Sequence, residues 1–215
     1  MANKKMLLIG GGGHCRSVAD CLRAADPEVT LGIVERPGAA PQSAHGIPVV
    51  GCDDDLSRLL SEGWTEAVVT LGSVGDPSRR RALFLHLKEL GFHLPVVADP
   101  SAVIGSNTEI GEGTFLGKRT VVNAGTKIGA CAIINTGAVL EHDCTVGAFA
   151  HISPGAVLCG EVTVGEGAHV GAGSVVRQQL QIGAGALIGV GSAVVSDIPS
   201  SCTAYGNPCK VVKNA

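Results

Sequence analysis

Two hydrophobic periods run along this chain, and one gives way to the other near residue 97. From Ile104 onward an aliphatic side chain returns every six positions. The series Ile104, Ile110, Leu116, Val122, Ile128 and Ile134 continues unbroken to Ile188 and Val194, sixteen positions in all. Four places after each aliphatic stands a small residue, as in Thr108, Thr114, Thr120, Thr126, Ala132 and Ala138. The residue directly after the aliphatic is often Gly or Asn, as a sharp corner requires. A period of six fits neither a helix nor an alternating strand, and predicts a left-handed parallel β-helix of hexapeptide repeats. Three hexads close one triangular coil of about 18 residues, and coils stack at about 4.8 Å. No insertion breaks the register, so no long loop leaves the prism. Residues 200–215 are expected to cap its open end and cover the unpaired strand edges.

Before residue 97 the pattern alternates strands with helices. Residues 6–9 read as a buried strand, 10–13 as a glycine turn and 14–23 as a helix. Residues 31–34 predict a second strand and 47–50 a short third. Asp53 and Asp54 are N-cap candidates for a helix reaching about Glu62. Residues 67–71 form another apolar run. Asp76 then caps a helix with Pro77 in its first position, Leu90 near its end and Gly91 as its stop. Strands separated by helices imply a small parallel sheet of doubly wound, Rossmann-like type. The expected division is an α/β domain over 1–97 and a β-helix with its C-terminal cap over 98–215.

Composition supports a lattice of small side chains. Glycine contributes 31 residues, about twice its usual ~7% share. Apolar residues make up 45% of the chain while aromatics make up only 3%, so the core is filled by aliphatics in regular order. A net charge of −3 lacks the basic footprint of a nucleic-acid surface. The apolar run at residues 6–9 is too short for a signal peptide, and no stretch reaches the ~18 residues of a membrane span. Eight cysteines without a C-x-x-C pair read as reduced thiols of a cytoplasmic protein. Cys144 occupies a repeat position otherwise held mostly by Ala, Ser and Thr, which suits core filling.

The motifs are more specific than the lattice. Gly10-Gly11-Gly12-Gly13-His14 follows the first strand, Leu140-Glu141-His142-Asp143-Cys144 lies within the prism, and Gly206-Asn207-Pro208-Cys209-Lys210 lies in the tail. With these motifs the chain resembles, over nearly its whole length, the sialic-acid O-acetyltransferases and nucleotide-aminosugar N-acetyltransferases of bacterial glycan synthesis. The resemblance implies acetyl-CoA as cosubstrate, no metal, and a homotrimer with coenzyme A between adjacent prisms. It also implies that Gly12, Gly13, His14 and Gly72 touch a nucleotide-linked sugar, with Glu35 and Arg36 near its base or ribose. His151 matches a family position near the coenzyme or the base, and with Gly160 it is an expected coenzyme contact. Glycines allow close backbone approach to a diphosphate, and a helix N-terminus favours its charge. As a dinucleotide fingerprint the turn lacks its third glycine, which is Cys15 here, and the α/β half is small for an NAD site.

His142 stands out on lattice grounds too. The residues 18 places away on either side, Ala124 and Gly160, are small and leave the imidazole in a groove. Asp143 beside it is placed to orient the ring and favour its protonated form. The expected chemistry is direct transfer of acetyl to the amine of a nucleotide-linked amino-deoxysugar, with His142 as general base. O-acetylation of a sugar hydroxyl and a non-catalytic trimeric module are the alternatives. His151 and His169 are 18 apart and should stack. Zinc-binding carbonic anhydrases of β-helix type use a third histidine in a His-x4-His pair, which this chain lacks. His45, His86 and His93 have no sequence partners and receive no role. Arg79, Arg80 and Arg81 open a helix against its macrodipole, and a solvated face is expected for them.

Overall fold

The computed structural model describes residues 4–38 and 43–214. Residues 1–3, the start of the expected α/β domain, lie outside the described residues. The α/β domain opens with β1 (Lys5–Ile9), α1 (Gly13–Ala25) and β2 (Thr30–Glu35). A hairpin of β3 (Ser43–Ala44) and β4 (Ile47–Cys52) follows. Then come α2 (Leu56–Ser61), β5 (Glu66–Val69) and α3 (Ser78–Leu90). The sheet order is β3-β4-β2-β1-β5, parallel except for the β3–β4 pair.

Several boundaries differ from the sequence expectation for local reasons. Residues 53–55 form a 3₁₀ turn rather than the first turn of α2. Asp55, not Asp53 or Asp54, makes the reciprocal cap by accepting the Cys52 N–H at 2.9 Å. α3 begins one residue late, with Pro77 at its N-cap and Asp76 accepting the Ser78 N–H. Gly91 ends α3 in the left-handed conformation, φ +93°.

The prism starts with β6 (Val97–Ala98), which pairs with Phe115–Leu116 one coil on. Sixteen two-residue strands follow, from β7 (Val103–Ile104) to β22 (Ala193–Val194), and they build three parallel sheets. The architecture is a left-handed parallel β-helix. Every sixth aliphatic from Leu116 to Val194 points inward and is buried in one continuous core, broken by no polar side chain at those positions. Beside it the buried threonines spend their hydroxyls on backbone carbonyls, as Thr120 does on Gly117 at 3.0 Å.

The corners correct one expectation. The left-handed residue is the third after each aliphatic from Ile104 to Ile188, not the first: Gly113, Gly125, Gly137 and Gly155 have φ near +70°, as do Arg119, Asp143 and Phe149 within some 15°. The glycine directly after the aliphatic answers a different demand. A Cβ on Gly129 would stand 2.4 Å from the Ala148 nitrogen of the next coil. Coil stacking, rather than backbone conformation, excludes a side chain there.

The three faces differ in what they present outward. The first carries Phe115, Ile133 and His151 and packs against the α/β domain, where Phe115 and Ile133 join Met6, Leu8 and Val18 in one core. The second presents a ladder of Val103, Val121, Val139, Val157, Val175 and Ala193. The third presents Glu109, Lys127, Thr145, Thr163 and Gln181. At the C-terminal end β23 (Cys202–Gly206) pairs with Leu187–Ile188, and β24 (Cys209–Asn214) folds back on it across the turn containing the cis Asn207–Pro208 peptide. A bridge from Ile182 to Ile198 covers the end of the third face.

The arginine trio is not one solvated face. Arg80 is 2% exposed, because α3 lies against the prism corner at Phe149. Its Nη2 donates to the Phe149 carbonyl, while Nε and Nη1 have no partner among the described residues. Burial pushes its basicity down. Arg81 lies over the Phe149 ring and pairs with Glu166. Arg79 remains exposed.

Candidate active site

His142 stands on the corner between the second and third faces, directly after Val139–Leu140. Its Nδ1 lies 3.0 Å from Asp143 Oδ2. A carboxylate can only accept, so Nδ1 carries the proton and Nε2 is left with a lone pair. Asp143 is held by its own backbone, which is left-handed at φ +58° and donates its N–H to Ala124 at 3.0 Å. The hydrogen bond that His142 donates to Asp143 raises the His142 pKa, with Asp143, Glu161 and Glu141 adding negative charge nearby. Nε2 lies over Gly160, where a Cβ would come within 2.6 Å. Glu141, in the place where many coils carry glycine, accepts from Asn123 Nδ2 at 3.0 Å. This corner therefore offers an exposed, oriented base beside open backbone, which suits proton abstraction.

The glycine turn forms a second centre on the α/β domain. Gly10 needs its φ of +101°, and Gly11 is pinned by its N–H to Glu35 Oε1 at 2.8 Å. Gly12 and Gly13 are different: a Cβ on either would meet nothing within 4 Å. The chain itself does not require glycine there, and the space above them is open. Gly12 is the N-cap of α1 without a side-chain cap, and no acidic residue occupies the first turn. Those free N–H groups can receive an anion. A cleft of about 310 Å³ runs along the turn, lined by Glu35, Arg36, Asp53, Arg79 and Leu71 among others. Asp53 has its pKa raised chiefly by burial, against the pull of Arg79.

The ring of His14 turns away from this cleft. It meets Phe115 of the prism edge-on at 5.0 Å, and burial, then the Arg80 charge, lowers its pKa to about 4. Gly72 lies beside it, with room for a Cβ at 3.6 Å from the His14 Cβ. At the turn itself His14 therefore offers its backbone N–H.

A larger cleft of about 420 Å³ opens on the other side of α1, lined by Arg16, Asp20, His45, Phe115, Lys118 and Thr136 among others. Lys118 bridges to Asp20 at 2.5 Å across its mouth. Lys118 and Thr136 sit on the corner between the first and second faces.

The predicted residues thus fall in three places. Gly12, Glu35 and Arg36 line the turn cleft, Gly13 and His14 follow Gly12 at the head of α1, and Gly72 lies against the His14 side chain. His142, Asp143 and Gly160 share the corner between the second and third faces. His151 belongs to neither. Its Nδ1 donates to the Ser73 carbonyl at 2.8 Å, its Nε2 accepts from Asn135 at 3.2 Å, and it meets His169 edge-on at 4.8 Å. Burial lowers its pKa to about 4. Among the described residues no group of three or more His, Cys, Asp or Glu could hold a metal ion. The sequence assigns no binding role to Arg16, Asp20, His45 or Lys118, and marks Asp53 only as a helix cap. None carries a motif, and each is recruited by residues far off in the chain.

Comparison with known proteins gives a consistent result. The PglD N-terminal domain family matches residues 5–87, and the bacterial transferase hexapeptide family matches residues 107–142 and 143–178. The acetyltransferase domain of PglB from Neisseria gonorrhoeae is 36% identical over 98% of this chain and 100% of that one, with a TM-score of 0.89. PerB from Caulobacter crescentus, solved with CoA and GDP-perosamine, is 38% identical over 99% of this chain and 98% of that one, with a TM-score of 0.90. WeeI from Acinetobacter baumannii shares the fold at 24% identity over 98% and 100% of the two chains, with a TM-score of 0.85. Curated protein sequences give no match.

Proposed function

Since the chain belongs to the hexapeptide-repeat acetyltransferases that transfer acetyl from acetyl-CoA to nucleotide-linked amino sugars, we propose that His142 is the general base of its acetyl transfer. The protein is an acetyl-CoA-dependent N-acetyltransferase of a nucleotide-linked amino-deoxysugar. The observation that carries the assignment of His142 is its Nδ1–H bond to Asp143, which fixes Nε2 as the acceptor. Nε2 takes a proton from the sugar amine as the C–N bond forms at the thioester carbon. The imidazolium returns that proton to sulfur as the C–S bond breaks. No acyl-enzyme is needed. Asp143 stabilises the imidazolium in between, and backbone N–H groups of the open corner beside Gly160 support the developing oxyanion.

The acceptor is assigned to the α/β domain. Gly12, Gly13 and the His14 N–H receive the diphosphate. Glu35, Arg36, Asp53 and Arg79 surround the base and ribose, with Gly72 at the edge. The sugar then extends past α1 into the cleft of Arg16, Lys118 and Thr136. His142 of the same chain lies at the other edge of the second face from Thr136, away from that cleft, so a neighbouring copy brings base and acceptor together.

A homotrimer resolves this. The valine ladder of the second face is partly exposed, with Val103 at 60% and Val175 at 46%, and apolar stripes of this length mark subunit contacts. Three copies with this face toward a three-fold axis place the His142 corner of one beside the Thr136 corner of the next. Thr136 and His142 flank the same strand, Val139–Leu140, and so stand at the same height. Coenzyme A then lies along the inter-prism groove at Gly160, while His151, with both ring nitrogens engaged, holds the seam between the domains. No described helix is long and apolar enough to cross a membrane. Eight free thiols suit the reducing cytoplasm.

The test is direct. A panel of UDP-, GDP- and dTDP-linked amino-deoxysugars is incubated with acetyl-CoA, and the acetylated sugar is followed by mass spectrometry. Acetylation of at least one amine by the native chain and its loss in His142→Asn are expected. Full turnover in that variant contradicts the assignment.

A further inference from the structure

The glycine turn is held from a direction that its sequence does not disclose. His45, on the β3–β4 hairpin, reaches across to it. Nε2 lies 3.0 Å from the Gly11 carbonyl and 3.1 Å from the Gly12 carbonyl, and Nδ1 lies 3.1 Å from Arg16 Nε. The two carbonyls can only accept, and the Arg16 guanidinium can only donate. The ring is therefore neutral, with its proton on Nε2 shared between both carbonyls and its Nδ1 lone pair taken by Arg16.

The remaining groups of the turn are accounted for as well. The Gly10 N–H donates to Val34 at 2.8 Å and its carbonyl accepts from Thr70 at 2.6 Å, while the Gly11 N–H goes to Glu35. Every carbonyl from Gly10 to Gly12 is thus turned inward to a donor. In consequence the N–H groups that follow at the head of α1 face the open space above Gly12 and Gly13. We propose that His45 is a positioning residue that pre-forms the diphosphate-binding turn by clamping the Gly11 and Gly12 carbonyls, with Arg16 fixing its tautomer. Without the clamp, the flexible Gly11–Gly12 and Gly12–Gly13 peptides can rotate and present carbonyl oxygens to an anion. The inference rests on the reading of this turn as the diphosphate site.

The proposal separates from a merely structural role because His45 itself adopts a left-handed backbone, φ +55°. Alanine and glutamine bear the same backbone cost there, but only glutamine keeps a donor long enough to reach the carbonyls. Binding of UDP, GDP and dTDP is measured by calorimetry on the native protein, His45→Ala and His45→Gln, alongside coenzyme A. Affinity for the best-bound nucleotide is expected to fall about tenfold or more in His45→Ala, as the loss of a held geometry commonly costs. His45→Gln recovers most of it, and coenzyme A binding stays unchanged in both. In turnover, the acceptor KM rises while kcat at saturation holds. Unchanged nucleotide affinity in His45→Ala, or a glutamine variant no better than alanine, overturns the proposal. If the native protein binds none of the three nucleotides, the diphosphate reading fails first, and this inference with it.

Discussion

Gly160 lies so close beneath the imidazole of His142 that a Cβ there would stand 2.6 Å from Nε2. The glycine is therefore part of how the base is aimed. Gly160→Ala should tilt the ring while leaving Asp143 and the coil in place. Misplacement of a catalytic group by about 1 Å can cost ~10²-fold. A fall in kcat of roughly 10–100-fold is expected with the melting temperature nearly unchanged. A variant with native turnover shows that the ring has freedom the structure does not suggest.

His142→Ala and His142→Asn should lower kcat by about 10²–10⁴-fold, the usual contribution of a general base. Acetyl-CoA affinity and assembly should not change, since the side chain is exposed and supports no core. Single-turnover measurement with both substrates saturating reads this without interference from binding.

The pH dependence follows from the direction of the His142 shift. Asp143 raises its pKa by stabilising the charged ring, and only the neutral ring can act as base. The acidic limb of the kcat profile should therefore lie above the ordinary histidine value. Asp143→Asn removes the cause, so that limb moves toward lower pH while the maximum rate falls. A limb that stays in place points to a different titrating group.

Stability should respond to acid through other histidines. His14 and His151 are lowered from 6.5 to about 4 by burial at the domain seam. The unfolded chain then binds protons more readily than the folded one between those values. Stability is fully present above about 6.5 and lost progressively as pH falls toward 4. Replacing His14 by Phe, which keeps an aromatic ring against Phe115, should flatten part of that slope in denaturant titrations run across the window.

At Gly12 the chain has room for a methyl group, with nothing within 4 Å and an ordinary φ of −73°. Gly12→Ala should fold normally and still bind coenzyme A, yet lose affinity for the nucleotide-sugar. Gly11→Ala is the contrast, because its Cβ would strike Glu35 Oε1 at 2.5 Å. It should lower the melting temperature as well. Equal behaviour of the two variants removes the argument for a ligand above Gly12.

A charge on the valine ladder tests the assembly. Val139→Glu and Val157→Glu point outward from the second face, so a monomer can still solvate them. Sedimentation should show dissociation, and activity should vanish although His142 is untouched. Retained assembly in both variants places the subunit contact on another face.

The β-helix was legible from the chain alone because its repeat is local. Each coil restates one rule, an aliphatic pointing inward every six residues, and the core from Leu116 to Val194 follows it. The His142–Asp143 pair was legible for the same reason, since neighbours in sequence are neighbours in the corner and Gly160 is one coil away. What the repeat could not disclose lies at contacts between distant segments. Glycines after the aliphatics suggested left-handed corners, but backbone packing between coils is what demands them. Arg80 looked like one of three solvated charges until α3 was laid against Phe149. His45 gained its place at the glycine turn only when a hairpin more than thirty residues on folded back over it. Local periodicity determines which way each side chain points along a regular element. Which element lies opposite is decided by the packing of whole domains, and that is where the clefts, the buried arginine and the clamp on the turn arise.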